Sequence, residues 1–98
     1  MIIIKASDNE VMHRAYEQTR NAGNTRLDLN EAIMDEDVKP IAETLRKLGI
    51  TEFTISAGSF AIIRTLAAFE KLGIKMAGII NVNSRFGESI PAFLMKVE

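Results

Sequence analysis

The stretch Thr51–Val82, TEFTISAGSFAIIRTLAAFEKLGIKMAGIINV, decides the fold of this chain. Its opening, Thr51-Glu52-Phe53-Thr54-Ile55-Ser56, alternates and is rich in β-formers, which predicts a short strand. After Ala57-Gly58, Ser59 is placed to cap a helix. Ile62, Ile63, Leu66, Phe69 and Leu72 supply its apolar stripe at helical spacing, with Ala67 and Ala68 allowing close packing. Gly73 ends the helix, and Ile74 to Val82 reads as a long, mostly apolar strand. A strand–helix–strand unit predicts two parallel strands side by side.

The joint inside this stretch, Lys71-Leu72-Gly73-Ile74, repeats Lys47-Leu48-Gly49-Ile50. In both copies glycine suits the left-handed position after a helix, where a Cβ would be penalised. The isoleucine behind it packs on the last turn, and the lysine meets the negative end of the helix dipole. The motif therefore reads as architecture. Flanking residues match poorly, which argues against a solenoid.

Upstream of the first copy, Val38, Ile41, Leu45 and Leu48 predict a helix. Asp35 or Asp37 is its expected cap, with Pro40 in its first turn. Arg26-Leu27-Asp28-Leu29 reads either as a short edge strand or as loop. Ile2-Ile3-Ile4 reads as a buried first strand. Ser7-Asp8-Asn9-Glu10 matches a capping box, opening a helix from Asp8 to about Asn21. Val11 and Ala15, with Met12 and Tyr16, form its stripe, and Gly23 stops it. Downstream, Asn83 to Glu88 is a turn. Ile90 to Val97 is a final antiparallel strand, and Pro91 places it at an edge. The expected order is β-α-α-β-α-β-β: an α/β (α+β-like) single domain over residues 1–98, a four-stranded mixed sheet with helices packed on it.

Composition agrees. At 98 residues, 47% hydrophobic and 26% charged, the chain buries a core without staples. It has no cysteine, which excludes disulfides and thiol chemistry. A net charge of −1 gives no global pull toward nucleic acid or anionic membrane. Neither a signal peptide nor an apolar run of membrane-spanning length is present, so the expectation is a cytoplasmic protein without membrane association.

Chemistry in such sheets favours the carboxyl ends of parallel strands. That edge carries Ser56, Gly58 and Ser59 on one side, and Asn81, Asn83 and Arg85, at alternate positions, on the other. Ser56, Gly58, Ser59, Asn83 and Arg85 are therefore the candidate anion site, at a helix N-terminus with Gly58 admitting a ligand to the backbone. S-A-G-S is neither a Walker loop nor G-x-G-x-x-G. The competing reading makes Ser59 an ordinary cap and the asparagines turn formers. The acidic stretch Asp28 to Asp37 lacks EF-hand spacing and reads as a solvated loop and helix entry. His13, between Glu10 and Glu17, reads as a surface histidine without a nucleophile to serve. Arg14, Arg20 and Arg26 make a short basic strip interrupted by Glu10 and Glu17. No catalytic residue, metal site or cofactor is identified.

From Ile41 to Ser56, and again at Leu66-Ala67-Ala68-Phe69-Glu70-Lys71 and Ile90 to Val97, the chain resembles a family of small proteins encoded by gut Firmicutes and their phages and mobile elements. The resemblance covers roughly half of the chain and implies no activity, cofactor or catalytic residue to carry over. The leading functional expectation is a non-enzymatic accessory module that binds a protein partner. The apolar final strand would support a homodimer. The alternative is small-molecule or anion binding at the Ser56–Ser59 turn. Nucleic-acid binding stands third, because the basic excess is missing.

Overall fold

The computed structural model describes residues 2–98. Among them run helix α1 (Glu10–Asn21), strand β1 (Asp28–Leu29), helix α2 (Asp35–Lys47), strand β2 (Glu52–Ile55), helix α3 (Ile62–Lys71) and strands β3 (Ile74–Asn83) and β4 (Ser89–Val97). Three helices and a four-stranded mixed sheet make up the fold, as expected. The first strand, however, is Asp28–Leu29 and not Ile2–Ile4. Ile4 is buried, but Ile2 and Ile3 are exposed and the segment pairs with no strand. His13 holds it instead: its Nδ1 lies 2.7 Å from the Ile4 carbonyl, which can only accept, so Nδ1 carries the proton.

The sheet order is β1-β2-β4-β3. β1 and β2 are parallel, and β4 is antiparallel to both β2 and β3. β2 and β3 thus point the same way, as the strand–helix–strand unit requires. They are not neighbours, because β4 is inserted between them. Pro91 is therefore in a central strand, which corrects the edge assignment. The register explains how proline is tolerated there. β2 stops at Ile55, opposite Phe93, so at Pro91 the strand has β3 alone as neighbour. A missing N–H on that side breaks no ladder bond.

Both KLGI joints follow local physics. Gly49 and Gly73 take φ of 71° and 79°. At the first joint the Ile50 N–H reaches the Leu45 carbonyl at 2.9 Å and the Gly49 N–H reaches Arg46 at 3.2 Å, a Schellman ending. Gly23 ends α1 the same way, with Asn24 N–H on the Thr19 carbonyl at 3.0 Å. Arg46 then links the two joints: its Nη2 donates to the carbonyls of Leu72 and Glu98.

Helix starts differ more from expectation. Asn9, not Ser7, caps α1, its side chain accepting from the Met12 N–H at 3.0 Å. Met34 occupies the cap position of α2, and Asp37 reaches back to its N–H at 3.4 Å. Pro40 lies inside α2 beyond its first turn. Ser59 does not cap α3. Its hydroxyl accepts from Ala61 N–H at 3.2 Å, organising the turn that leads into the helix.

The core joins Met12, Ala15 and Tyr16 of α1, Val38, Ile41 and Leu45 of α2, and Phe69 of α3 to Leu29, Phe53, Ile55, Ile74 and Met95 of the sheet. Phe53 and Phe69 meet edge-on with centroids 5.8 Å apart. The buried line of α3 runs through Ile62, Thr65, Leu66 and Phe69, so Ile63 falls off it and is 79% exposed.

Candidate functional site

β1 and β2 run parallel and in register, so Asp28 and Thr54 lie side by side on the face opposite Leu29, Phe53 and Ile55. This second face is also closed. Thr54 is fully buried and Asp28 is 2% exposed. The Asp28 carboxylate accepts from the Thr54 hydroxyl and from the Ser56 hydroxyl, each at 2.7 Å. Burial pushes its pKa above the ordinary carboxylate value, and the two hydroxyl hydrogen bonds partly offset that rise. The acidic stretch is thus not uniformly solvated: Asp35 and Glu36 are exposed, whereas Asp28 is a buried, hydrogen-bonded acid.

On the outer side of β1 the buried Thr19 hydroxyl of α1 accepts from the Asp28 N–H at 3.1 Å, and the far edge of the sheet is tied to the loop after α1. Asn24, just past α1, accepts from the Asn83 N–H at 3.0 Å and donates to the Asn83 carbonyl at 2.8 Å. The end of β3 is therefore drawn back toward the β1 side of the molecule. A register shift between Met76 and Gly78 adds local bend to the ribbon. The β3–β4 turn is well organised. The Ser84 hydroxyl accepts from the Phe86 and Glu88 N–H groups, each at 3.2 Å, and Gly87 takes φ of 83°. Arg85 lies over the Phe86 ring, 5.2 Å from its centroid.

Two clefts result, and the 56–59 turn walls both. The polar one, about 290 Å³, is lined by Asp28, Asn30, Gly58, Arg85, Phe86 and Glu88, with Ser56 at its wall. The apolar one, about 350 Å³, is lined by Ile55, Ser59, Ile62, Ile79, Pro91 and Phe93, together with Ser56 and Gly58. Of the five candidate residues, Ser56, Gly58 and Arg85 converge on the polar cleft. Ser59 faces the apolar one. Asn83 lines neither, since its backbone is engaged by Asn24. β3 ends at Asn83, so Arg85 belongs to the turn and the expected alternation does not reach it.

Gly58 has a distinctive status. It does not take a positive φ, and a Cβ there would meet nothing within 4 Å. The fold does not demand glycine, and the bare backbone opens onto both clefts. Asp28 lines the polar cleft without belonging to any motif of the sequence. Its signal was a lone carboxylate between two leucines, Leu27 and Leu29, in a possible strand.

The remaining candidates have structural employment. His13 Nε2 lies 3.4 Å from Glu17. Arg14 pairs with Glu31 and Arg26 with Glu52, each at 3.5 Å, and Arg20 lies over Tyr16. The basic strip is thereby divided among separate partners. No helix among the described residues is long and apolar enough to cross a membrane.

The chain belongs to the family described as Domain of unknown function (DUF7698), which matches residues 11–97. No curated protein and no solved structure matches it.

Proposed function

We propose that this DUF7698 domain is a non-enzymatic accessory module that binds a protein along the free edge of β3 and the apolar cleft beside it. The observation that carries this reading is the character of that edge. β3 is ten residues long and forms the open side of the sheet. It exposes Met76 and Ile79, at 52% and 65%, and Ile79 also lines the apolar cleft. Phe60 and Ile63, at the entry to α3, are exposed as well. Long apolar edges invite strand addition, in which main-chain hydrogen bonds give affinity and a neighbouring pocket gives selectivity. Asn24 occupies the outward backbone groups of Asn83, which leaves the stretch before it open. In a regular strand Asn81 and Ile79 turn their backbone groups the same way.

The apolar edge that sequence reading assigned to the final strand thus belongs to β3. A second copy of the chain docking edge to edge is the self-associating form of the proposal. We place the protein in the cytoplasm of gut Firmicutes or of cells carrying their phages and mobile elements. The cysteine-free composition and single small domain suit that setting. The test combines light scattering across micromolar concentrations with capture from native extract, using wild type and Ile79→Lys. The substitution should leave the melting temperature unchanged and abolish dimer or captured partner. A monomeric mass together with identical capture by wild type and Ile79→Lys would remove the reading.

A second reading, a small-molecule site on the 56–59 turn, is supported by the polar cleft that this turn walls, with Gly58 bare and Arg85 held on an ordered turn.

A further inference from the structure

The polar cleft carries charges of both signs. Asp28 and Glu88 are acids, and Arg85 is a cation. Among the described residues neither Arg85 nor Glu88 takes part in an ion pair, so their charges are not spent on each other. The Asn30 side-chain oxygen is buried without a hydrogen-bond partner within the protein. The Ser56 hydroxyl, by contrast, is already donating to Asp28. An anion entering this cleft would meet two carboxylates and would find the Ser56 proton already committed. A plain cation would meet Arg85. Neither matches the lining as well as a molecule that carries both groups.

We infer that this cleft binds a small zwitterion, such as a free α-amino acid. Its cationic nitrogen pairs with the exposed Glu88 carboxylate, in the field of the buried Asp28 behind it, and its anionic oxygen faces Arg85. The inference rests on the small-molecule reading and specifies its ligand. Gly58 lets the ligand lie against the backbone, since a side chain there would project into open space. The cleft volume of about 290 Å³ is at the small end for ligand sites and fits a molecule of this class.

The test is a titration of amide resonances with mixtures of the free amino acids, beside putrescine as a cation without an anion, and inorganic phosphate as an anion without a cation. Saturable shifts at Asn30, Gly58, Arg85 and Glu88 are expected from at least one amino acid below about 10 mM, and none from the other two probes. Arg85→Ala and Glu88→Gln, both on the exposed turn, should each weaken binding about tenfold or more at unchanged melting temperature. Gly58→Ala should weaken it without loss of stability. Phosphate binding without amino-acid binding would overturn the zwitterion and spare the small-molecule reading. Silence from every probe would sink both. Amino-acid binding indifferent to Arg85→Ala and Glu88→Gln would place the ligand elsewhere and also refute the assignment.

Discussion

The two KLGI joints offer one perturbation applied twice. Gly49→Ala and Gly73→Ala change the same letter of the same motif, at φ of 71° and 79°. A left-handed alanine costs roughly 1–2 kcal/mol, and that cost is common to both. The surroundings differ. A Cβ at Gly49 meets nothing within 4 Å, whereas at Gly73 it lies 3.0 Å from Arg46 Nη2. That nitrogen donates to the carbonyls of Leu72 and Glu98, and giving way by a few tenths of an ångström weakens those bonds. With roughly 0.5–1.5 kcal/mol for each net hydrogen bond and solvent at hand to replace part of it, Gly73→Ala should cost about 0.5–1 kcal/mol more than Gly49→Ala. At an m-value of about 1 kcal/mol/M in urea, the midpoints of the two variants should differ by roughly 0.5–1 M. In an Arg46→Ala background the excess should vanish, because the bonds at stake are already gone. Equal penalties in the wild-type background would refute the reasoning. So would a difference that survives removal of Arg46.

Asp28 should make stability depend on pH. Its folded pKa lies above that of a free aspartate, so its stabilising contribution is complete below the free-aspartate pKa and is lost as pH rises through the folded pKa. Asp28→Asn keeps the shape with no charge to desolvate, so wild type should lose stability relative to it from acid toward neutral pH; parallel profiles in urea titrations would contradict this. Phe69→Ala should cost about 3–5 kcal/mol by emptying the contact with Phe53, while Ile63→Ala stays within about 0.5 kcal/mol; calorimetry of the pair checks which side of α3 is buried. Asn24→Ala removes both bonds to Asn83 and should speed amide exchange at the open end of β3, leaving exchange in β2 unchanged.

Features written into neighbouring residues were legible. The glycine-ended joints, the body of α2, and the spans of β2, β3 and β4 follow from periodicity and from residues a few positions apart. Helix starts were less so, because Ser7 and Asn9 both suit a cap. The choice fell on Asn9, and the segment before it is tied down by contacts from Asp8 to Lys5 and from His13 to Ile4. Ile2-Ile3-Ile4 looked like a strand because a β-branched run satisfies the local rule. Whether it finds a partner strand is a non-local matter, and only Ile4 found a place in the core. The candidate site divides in the same way. Ser56, Gly58 and Arg85 were found from strand ends and turns, whereas Asp28 was masked by the acidic residues that follow it.

The inserted strand accounts for most of what could not be foreseen, and it also explains why two clefts meet at the 56–59 turn. Had β2 and β3 been neighbours, the turn after β2 would have stood beside Asn83, with β4 outside as the apolar edge. With β4 between them, β2 ends against Phe93 while β4 begins at Ser89, beyond the end of its shorter neighbour. That overhang carries the β3–β4 turn past the end of β2, and Asn24 draws it back toward β1. Arg85 and Glu88 thereby line one cleft with Asp28, which is distant from them in sequence and unreachable by any periodicity argument. The same insertion moves β3 outward and leaves Met76 and Ile79 without a strand to cover them. One choice of pairing therefore makes both the polar cleft and the open apolar edge, on opposite sides of Ser56-Ala57-Gly58-Ser59. A substitution that shortens the overhang, such as deletion of Arg85 and Phe86 with the turn reclosed, should abolish zwitterion binding and leave edge-mediated association intact. Loss of both together would show that the two surfaces are not separable in the way the strand order requires.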